Sequence, residues 1–214
     1  MDPAKELVNV YDDDARVVDV WPRRQAKASG RAVGAVNALI LNGSGEVLLQ
    51  LRHLDKENGG LWDKSVGGHV SAGEDFDAAL VREASEELFS VPGSPRVRLA
   101  SSDEELECLV PPIDLSHEIV LRRVALQRNL RDVRHAPGGG VRNVLYHLAI
   151  YLGRTELPVA ELRPQVEEIG NLRYFPPGEV DRMLLRGALA PNMSFLWLAF
   201  GKALLSQPAL PPAP

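Results

Sequence analysis

Gly68-His-Val-Ser-Ala-Gly-Glu74-Asp-Phe-Asp-Ala-Ala-Leu-Val-Arg82-Glu83-Ala-Ser-Glu86-Glu87-Leu88 is the stretch on which the fold of this chain turns. Its first part is a glycine-rich turn and its second part a helix. Asp75 can cap that helix through its side-chain oxygen, Asp77 sits favourably in the first turn, and Phe76, Ala79, Leu80, Ala84 and Leu88 recur at helical spacing. Ser90, Pro92 and Gly93 stop it. At about 100° per residue, Glu86 and Glu87 lie three and four positions beyond Glu83, so the three carboxylates fall within an arc of roughly 100°. Like charges so placed repel by a few tenths of a kcal/mol per exposed pair unless a cation neutralises them. Hard divalent ions take oxygen ligands, and Mg²⁺ joins one or two carboxylates to substrate phosphates. Read from helix chemistry alone, a solvated acidic face partnered by Arg82 stands beside this metal reading.

Outward from the helix, Ala32 to Leu41 and residues 46–51 are strands around the turn Asn42-Gly43-Ser44-Gly45. Residues 57–73 hold five glycines, which predicts loop, a short strand near 65–70 and a further turn. Residues 7–10 and 16–21 read as a hairpin about Asp12, Asp13 and Asp14, followed by a polar stretch over 22–30. Downstream, strands are expected near 105–110, 119–124, 144–152 and 172–175. Helices are expected at 178–186 and at 194–205, the latter capped by Ser194. The basic stretch from Arg122 to Arg142 contains Pro137-Gly138-Gly139-Gly140 and reads as a loop. The order of strands, helix, strands and helices predicts a mixed sheet packed between helices. The organisation expected is a hairpin appendage over 1–31, one domain over 32–206 and a proline-rich disordered tail over 207–214.

Composition narrows the class. The chain has 214 residues, 45% hydrophobic and 25% charged, the balance of a globular protein. No apolar run approaches the roughly 18–20 residues needed to cross a bilayer, and the opening MDPAKELVNV lacks the pattern of a secretory signal, so a cytoplasmic protein is expected. The single cysteine, Cys108, excludes an internal disulfide or a zinc knuckle. A net charge of −5 implies no broad basic face for nucleic acid or acidic lipid, leaving a small anionic substrate bridged by a metal.

Gly, five residues, Glu, seven residues, then Arg-Glu-x-x-Glu-Glu resembles the Nudix box, with Gly68, Glu74, Arg82, Glu83, Glu86 and Glu87 at its defining positions. The resemblance extends over roughly residues 32–187, with Gly60-Leu-Trp-Asp63 as the approach loop and the residues from Leu172 as the late strand and helix. It implies an α/β/α sandwich with a mixed β-sheet, whose box binds Mg²⁺ or Mn²⁺ for attack of water on a diphosphate linkage. Carried onto this chain, Glu83, Glu86 and Glu87 would hold the metal. Gly68 would let the backbone approach it, and Glu74 and Arg82 would orient the helix. The family usually has glycine and then an aliphatic residue where Phe89 and Ser90 stand, so the helix exit must differ.

The residues Leu48-Leu-Gln-Leu-Arg52, Lys56 and Trp62-Asp-Lys-Ser-Val-Gly-Gly-His69 look like the branch that includes isopentenyl diphosphate isomerase. That isomerase needs a cysteine where this chain has Gly67, and Cys108 lies about forty residues away, so hydrolysis is favoured. His69 matches a metal-binding histidine of the isomerase, but without that enzyme's other features the packed or hydrogen-bonded loop residue is the favoured reading. Arg52 and Lys56 are candidates for substrate phosphate. Trp62 is a candidate to stack on a base or to pack under its loop. Glu168, or its neighbour Glu167, is a candidate water-activating base. The expected function is a metal-dependent hydrolase of a nucleoside diphosphate linked to another moiety, or of a related organic diphosphate. A ligand-sensing module without turnover and an isomerase-like enzyme are the alternatives. The first hairpin and the apolar last helix offer surfaces for a homodimer.

Overall fold

The computed structural model describes residues 6–91, 93–102, 105, 114–135, 141–165 and 169–206. Its centre is a strand buried along all ten residues, β3 (Ala32–Leu41). Alternation along that strand builds both halves of the core. Val33, Ala35, Leu39 and Leu41 join one apolar cluster, and Ala32, Val36, Ala38 and Ile40 join the other. The second cluster is closed by α2 (Phe76–Phe89) through Phe76, Ala79, Leu80, Ala84 and Leu88, the periodic residues of the helix. The first is closed by α3 (Pro177–Leu185) and α4 (Pro191–Leu205), which contribute Val180, Met183, Leu196 and Trp197. Helices thus cover both faces of the sheet, the α/β/α sandwich expected from the sequence.

One edge of β3 runs parallel to β9 (Val141–Arg154) for its whole length, from Ala32 beside Leu145 to Leu41 beside Arg154. The other edge is shared in succession by β1 (Leu7–Tyr11), β6 (Val66–His69) and β4 (Val47–Arg52). Beyond β4 lies β10 (Ile169–Phe175), and beside it also the short β5 (Trp62–Asp63). β9 pairs antiparallel with β8 (Ile119–His135), whose start runs parallel to β7 (Val97–Leu99). The sheet is therefore mixed, and β6, which carries the glycine pair Gly67-Gly68 at the start of the box, is clamped on its central strand.

Four expectations change. Residues 6–31 are continuous with the sheet, since β1 pairs with β3 as well as with β2 (Val17–Pro22), and Val8, Val10 and Ala26 lie in the core. The polar stretch after β2 holds a short helix, α1 (Arg23–Ala28), with Ala26 buried. The basic residues from Arg122 onward belong to β8, because main-chain pairing to β9 orders that strand whatever its side chains carry. Helix α4 begins at Pro191, whose fixed φ suits a first helical position, and not at Ser194, which bonds back to the Ala190 carbonyl at 3.2 Å. Cys108, the strand residues expected at 106–110, Pro137 to Gly140, Glu167, Glu168 and the tail lie outside the described residues.

Asp75 caps α2 as expected, accepting from the Ala78 amide at 2.8 Å. The exit of α2 is solved without glycine: Ser90 takes the left-handed conformation (φ 54°), and its hydroxyl donates to the Arg163 carbonyl.

Candidate active site

Arg82 organises the inner face of α2. Its Nε and Nη2 fork onto Glu74 at 2.7 and 3.0 Å, and Nη2 also reaches the His69 carbonyl at 2.9 Å, tying the helix to β6. Its Nη1 pairs with Glu83 at 2.9 Å and Glu86 at 3.3 Å. Burial raises the Glu74 carboxyl, but Arg82 and the Ser71 amide outweigh this and hold it below its ordinary value. The same carboxylates drive the Arg82 pKa far upward against its own desolvation, so the guanidinium stays charged.

Glu83 and Glu87 reach the glycine pair from α2. A side chain at Gly68 would overlap the Glu83 carboxyl group, so glycine there makes room for that carboxylate. Burial pushes Glu83 upward, Glu86 and Glu6 add to this, and Arg82 only partly offsets it. Glu87, 7% exposed, accepts from the Gly67 amide at 2.9 Å and from Gln50 Nε2 at 3.4 Å. Beside them, Lys64 Nζ lies 3.1 Å and Arg52 Nη1 2.9 Å from the buried Asp63 carboxylate.

Glu83, Glu87, Gly67 and Gly68 line a cleft of about 340 Å³ with Arg52, Lys56, Lys64 and Arg23, the amides of Asn37 and Asn192, and His69 and Tyr146. Of the residues singled out from the sequence, Gly68, Glu83, Glu87, Arg52 and Lys56 thus meet in one place. Arg82 holds Glu86 beside them and Glu74 behind them. Trp62 is not among the cleft residues: its ring packs edge-on to Phe175, with centroids 4.6 Å apart, because the β5 backbone is fixed by bonds to Ala188 and Ala190. His69 meets the Tyr146 hydroxyl at 3.4 Å. Sequence reading missed Lys64, Asn37 and Asn192. Lys64 had one available signal, its place between Asp63 and the glycine pair. The Asn37–Asn192 bond of 2.6 Å joins residues too distant in sequence to be paired by eye.

The donor set suits a hard cation. Glu87 is buried and Glu83 half-buried, and both carboxylates face a shared cleft, with a glycine backbone beside them and Glu86 next to Glu87 on the helix. Among the described residues, no three acidic, histidine or cysteine side chains are already gathered around one point, because Arg82 and the Gly67 amide engage the carboxylates.

A mixed sheet between helices, with a carboxylate-bearing helix laid over a glycine pair, defines the class of site. The chain belongs to the Nudix family: the NUDIX domain model matches residues 31–194. An uncharacterized Nudix hydrolase of Streptomyces coelicolor is 36% identical over 97 residues, 45% of this chain and 53% of that protein. One of Yersinia pestis is 31% identical over 104 residues, 48% of this chain and 57% of that protein. The chain thus spans only a little over half the length of these curated relatives. Among solved structures, a Deinococcus radiodurans protein superposes with a TM-score of 0.62 at 20% identity, over 89% of this chain and 96% of that one. The NUDIX domain of Shewanella oneidensis NrtR, solved with ADP-ribose, superposes with a TM-score of 0.50 at 16% identity, over 91% and 94%. At such identities these two likenesses speak to the fold. Among the described residues no helix is long and apolar enough to cross a membrane.

Proposed function

We propose that the chain is a divalent-metal-dependent hydrolase that cleaves the diphosphate linkage of a nucleoside diphosphate linked to another moiety, or of a related organic diphosphate. The observation that carries this reading is the convergence of Glu83 and Glu87 with Arg52, Lys56 and Lys64 on one cleft. Glu83, Glu86 and Glu87, with the Gly68 backbone, would hold Mg²⁺ or Mn²⁺. A divalent cation there supplies Lewis-acid stabilisation of charge on the diphosphate. Arg82, anchored to Glu74 and the His69 carbonyl, fixes the rotation of α2 and hence the direction of all three carboxylates. Lysine and arginine across the cleft bind phosphate oxygens by charge-assisted hydrogen bonds. One helix carboxylate, or Glu168, takes the proton of the attacking water.

The isomerase alternative loses support at Gly67, where the branch's cysteine would stand. The space a side chain would need there is taken by the end of Lys64.

The test is metal-dependent release of phosphate or nucleotide from ADP-ribose, nucleoside triphosphates, dinucleoside polyphosphates and sugar diphosphates, with Glu87→Gln in parallel. Turnover that disappears in the variant is the expected result. Tight binding without turnover would replace the hydrolase with a sensing module. Addition of Mg²⁺ should raise the melting temperature of the native protein and leave a Glu83→Gln/Glu87→Gln variant unmoved.

A further inference from the structure

The cleft has many groups for phosphate and almost none for a base. All the Phe, Tyr and Trp residues of the sequence fall among the described residues, so each ring has a known place. Tyr146 alone of these lines the cleft, and it is 2% exposed, packed into the core with its hydroxyl against His69. Trp62, the ring nearest the approach loop in sequence, is turned onto Phe175. Removal of an aromatic ring that stacks on a nucleic-acid base typically costs about 1–3 kcal/mol, and no open Phe, Tyr or Trp face in this cleft offers that energy; the one other ring there is the half-buried His69 imidazole, set against the Tyr146 hydroxyl.

The opposite holds for anions. Arg23 comes from α1, Arg52 from β4, Lys56 from the following loop and Lys64 from the segment after β5, so four separate stretches of chain bring cations to the cleft; Arg23 pairs there with Glu6 at 2.8 Å, Arg52 and Lys64 share Asp63, and Glu57 is the further carboxylate of the lining. Asn37 on β3 and Asn192 on α4, hydrogen-bonded to each other, add amide groups suited to hydroxyls.

We infer that the substrate is a phosphorylated sugar or polyol diphosphate, bound through phosphate groups and hydroxyls, and carrying no nucleobase. This rests on the hydrolase reading above and chooses within it. Water adds to one phosphorus of the diphosphate and the bridging P–O bond breaks. The bridging oxygen leaves on the other phosphate, and the proton of water passes to a carboxylate. The additional phosphate of the substrate is held by Lys64 and Lys56.

Phosphoribosyl diphosphate serves as the probe, against ADP-ribose and ATP, each with Mg²⁺, by calorimetric binding and by phosphate release. The inference expects kcat/KM for the sugar probe at least about ten-fold above both nucleotides. Lys64→Met and, separately, Lys56→Gln should each weaken binding of the sugar probe by about ten-fold or more, and by a larger factor than they weaken binding of ADP-ribose, which has the diphosphate but no additional phosphate. Lys56→Gln keeps the test readable if Lys64→Met fails to fold. Glu87-dependent turnover that favours a nucleotide keeps the hydrolase and overturns the inference. Preferred binding of the sugar probe without turnover supports this ligand class and overturns the hydrolase. Binding of none of the three overturns both.

Discussion

Lys64 occupies the space beside Gly67 that any other residue there would claim: an added Cβ would overlap Lys64 Cε and lie 2.7 Å from Asn37 Oδ1. Gly67→Cys, which restores the residue type of the isomerase branch, is therefore expected to displace Lys64. The expected cost is about 1–3 kcal/mol of stability with no gain of isomerisation. Thermal denaturation and an assay on isopentenyl diphosphate check this. A variant as stable as the parent would show that Lys64 moves freely.

Gly68 and Glu83 are coupled in the same way, since a methyl group at residue 68 would strike the Glu83 carboxyl. Gly68→Ala should lower kcat/KM by about a hundred-fold by misplacing that carboxylate. In a double-mutant cycle it should add little to Glu83→Ala. Full additivity would mean that Gly68 acts by some other route.

Arg82→Lys keeps the charge and loses the fork onto Glu74 together with the bond to the His69 carbonyl. A loss of about 2–3 kcal/mol in urea denaturation is expected, accompanied by reduced turnover. Reduced turnover at unchanged stability would place Arg82 in contact with substrate instead.

Asp63 is 2% exposed. Burial acts to raise its pKa, yet Lys64 and Arg52 prevail and hold it below its ordinary value of 3.8. The unfolded chain thus takes up the proton first as the solution is acidified, and stability rises with pH across that interval. The contribution is fully present above about pH 5 and fades as pH falls through the lowered folded value. Urea denaturation of the native protein and Asp63→Asn should therefore show a stability gap that is constant near neutrality and narrows in acid. A gap that widens in acid would contradict the assignment.

What could be read before the structure was whatever the chain encodes over one or two helical turns. Asp75 as cap, the apolar periodicity from Phe76 to Leu88, and three glutamates on one arc are local facts, and the structure repeats them. The continuation of the expected 119–124 strand through Arg134 was hidden because pairing to β9, and not side-chain pattern, orders it. Trp62 was ambiguous for a different reason: an aromatic ring in a loop serves equally for stacking or packing until its neighbour, Phe175, is placed beside it. Lys64 was overlooked because its role depends on the empty side of a glycine three residues later, a relation that only geometry reveals.

The parallel register of β3 with β9 also sets a timetable for synthesis. Residue 32 must wait for residue 145, and residue 41 for residue 154, before the central strand has a neighbour along that edge. Loop closure over such a span is slow relative to hairpin formation. On the ribosome, α2 and its glutamates therefore emerge well before the strand that completes the platform beneath them. The cleft has all its walls only when Tyr146 of β9 and, later still, Asn192 of α4 have been added to the chain.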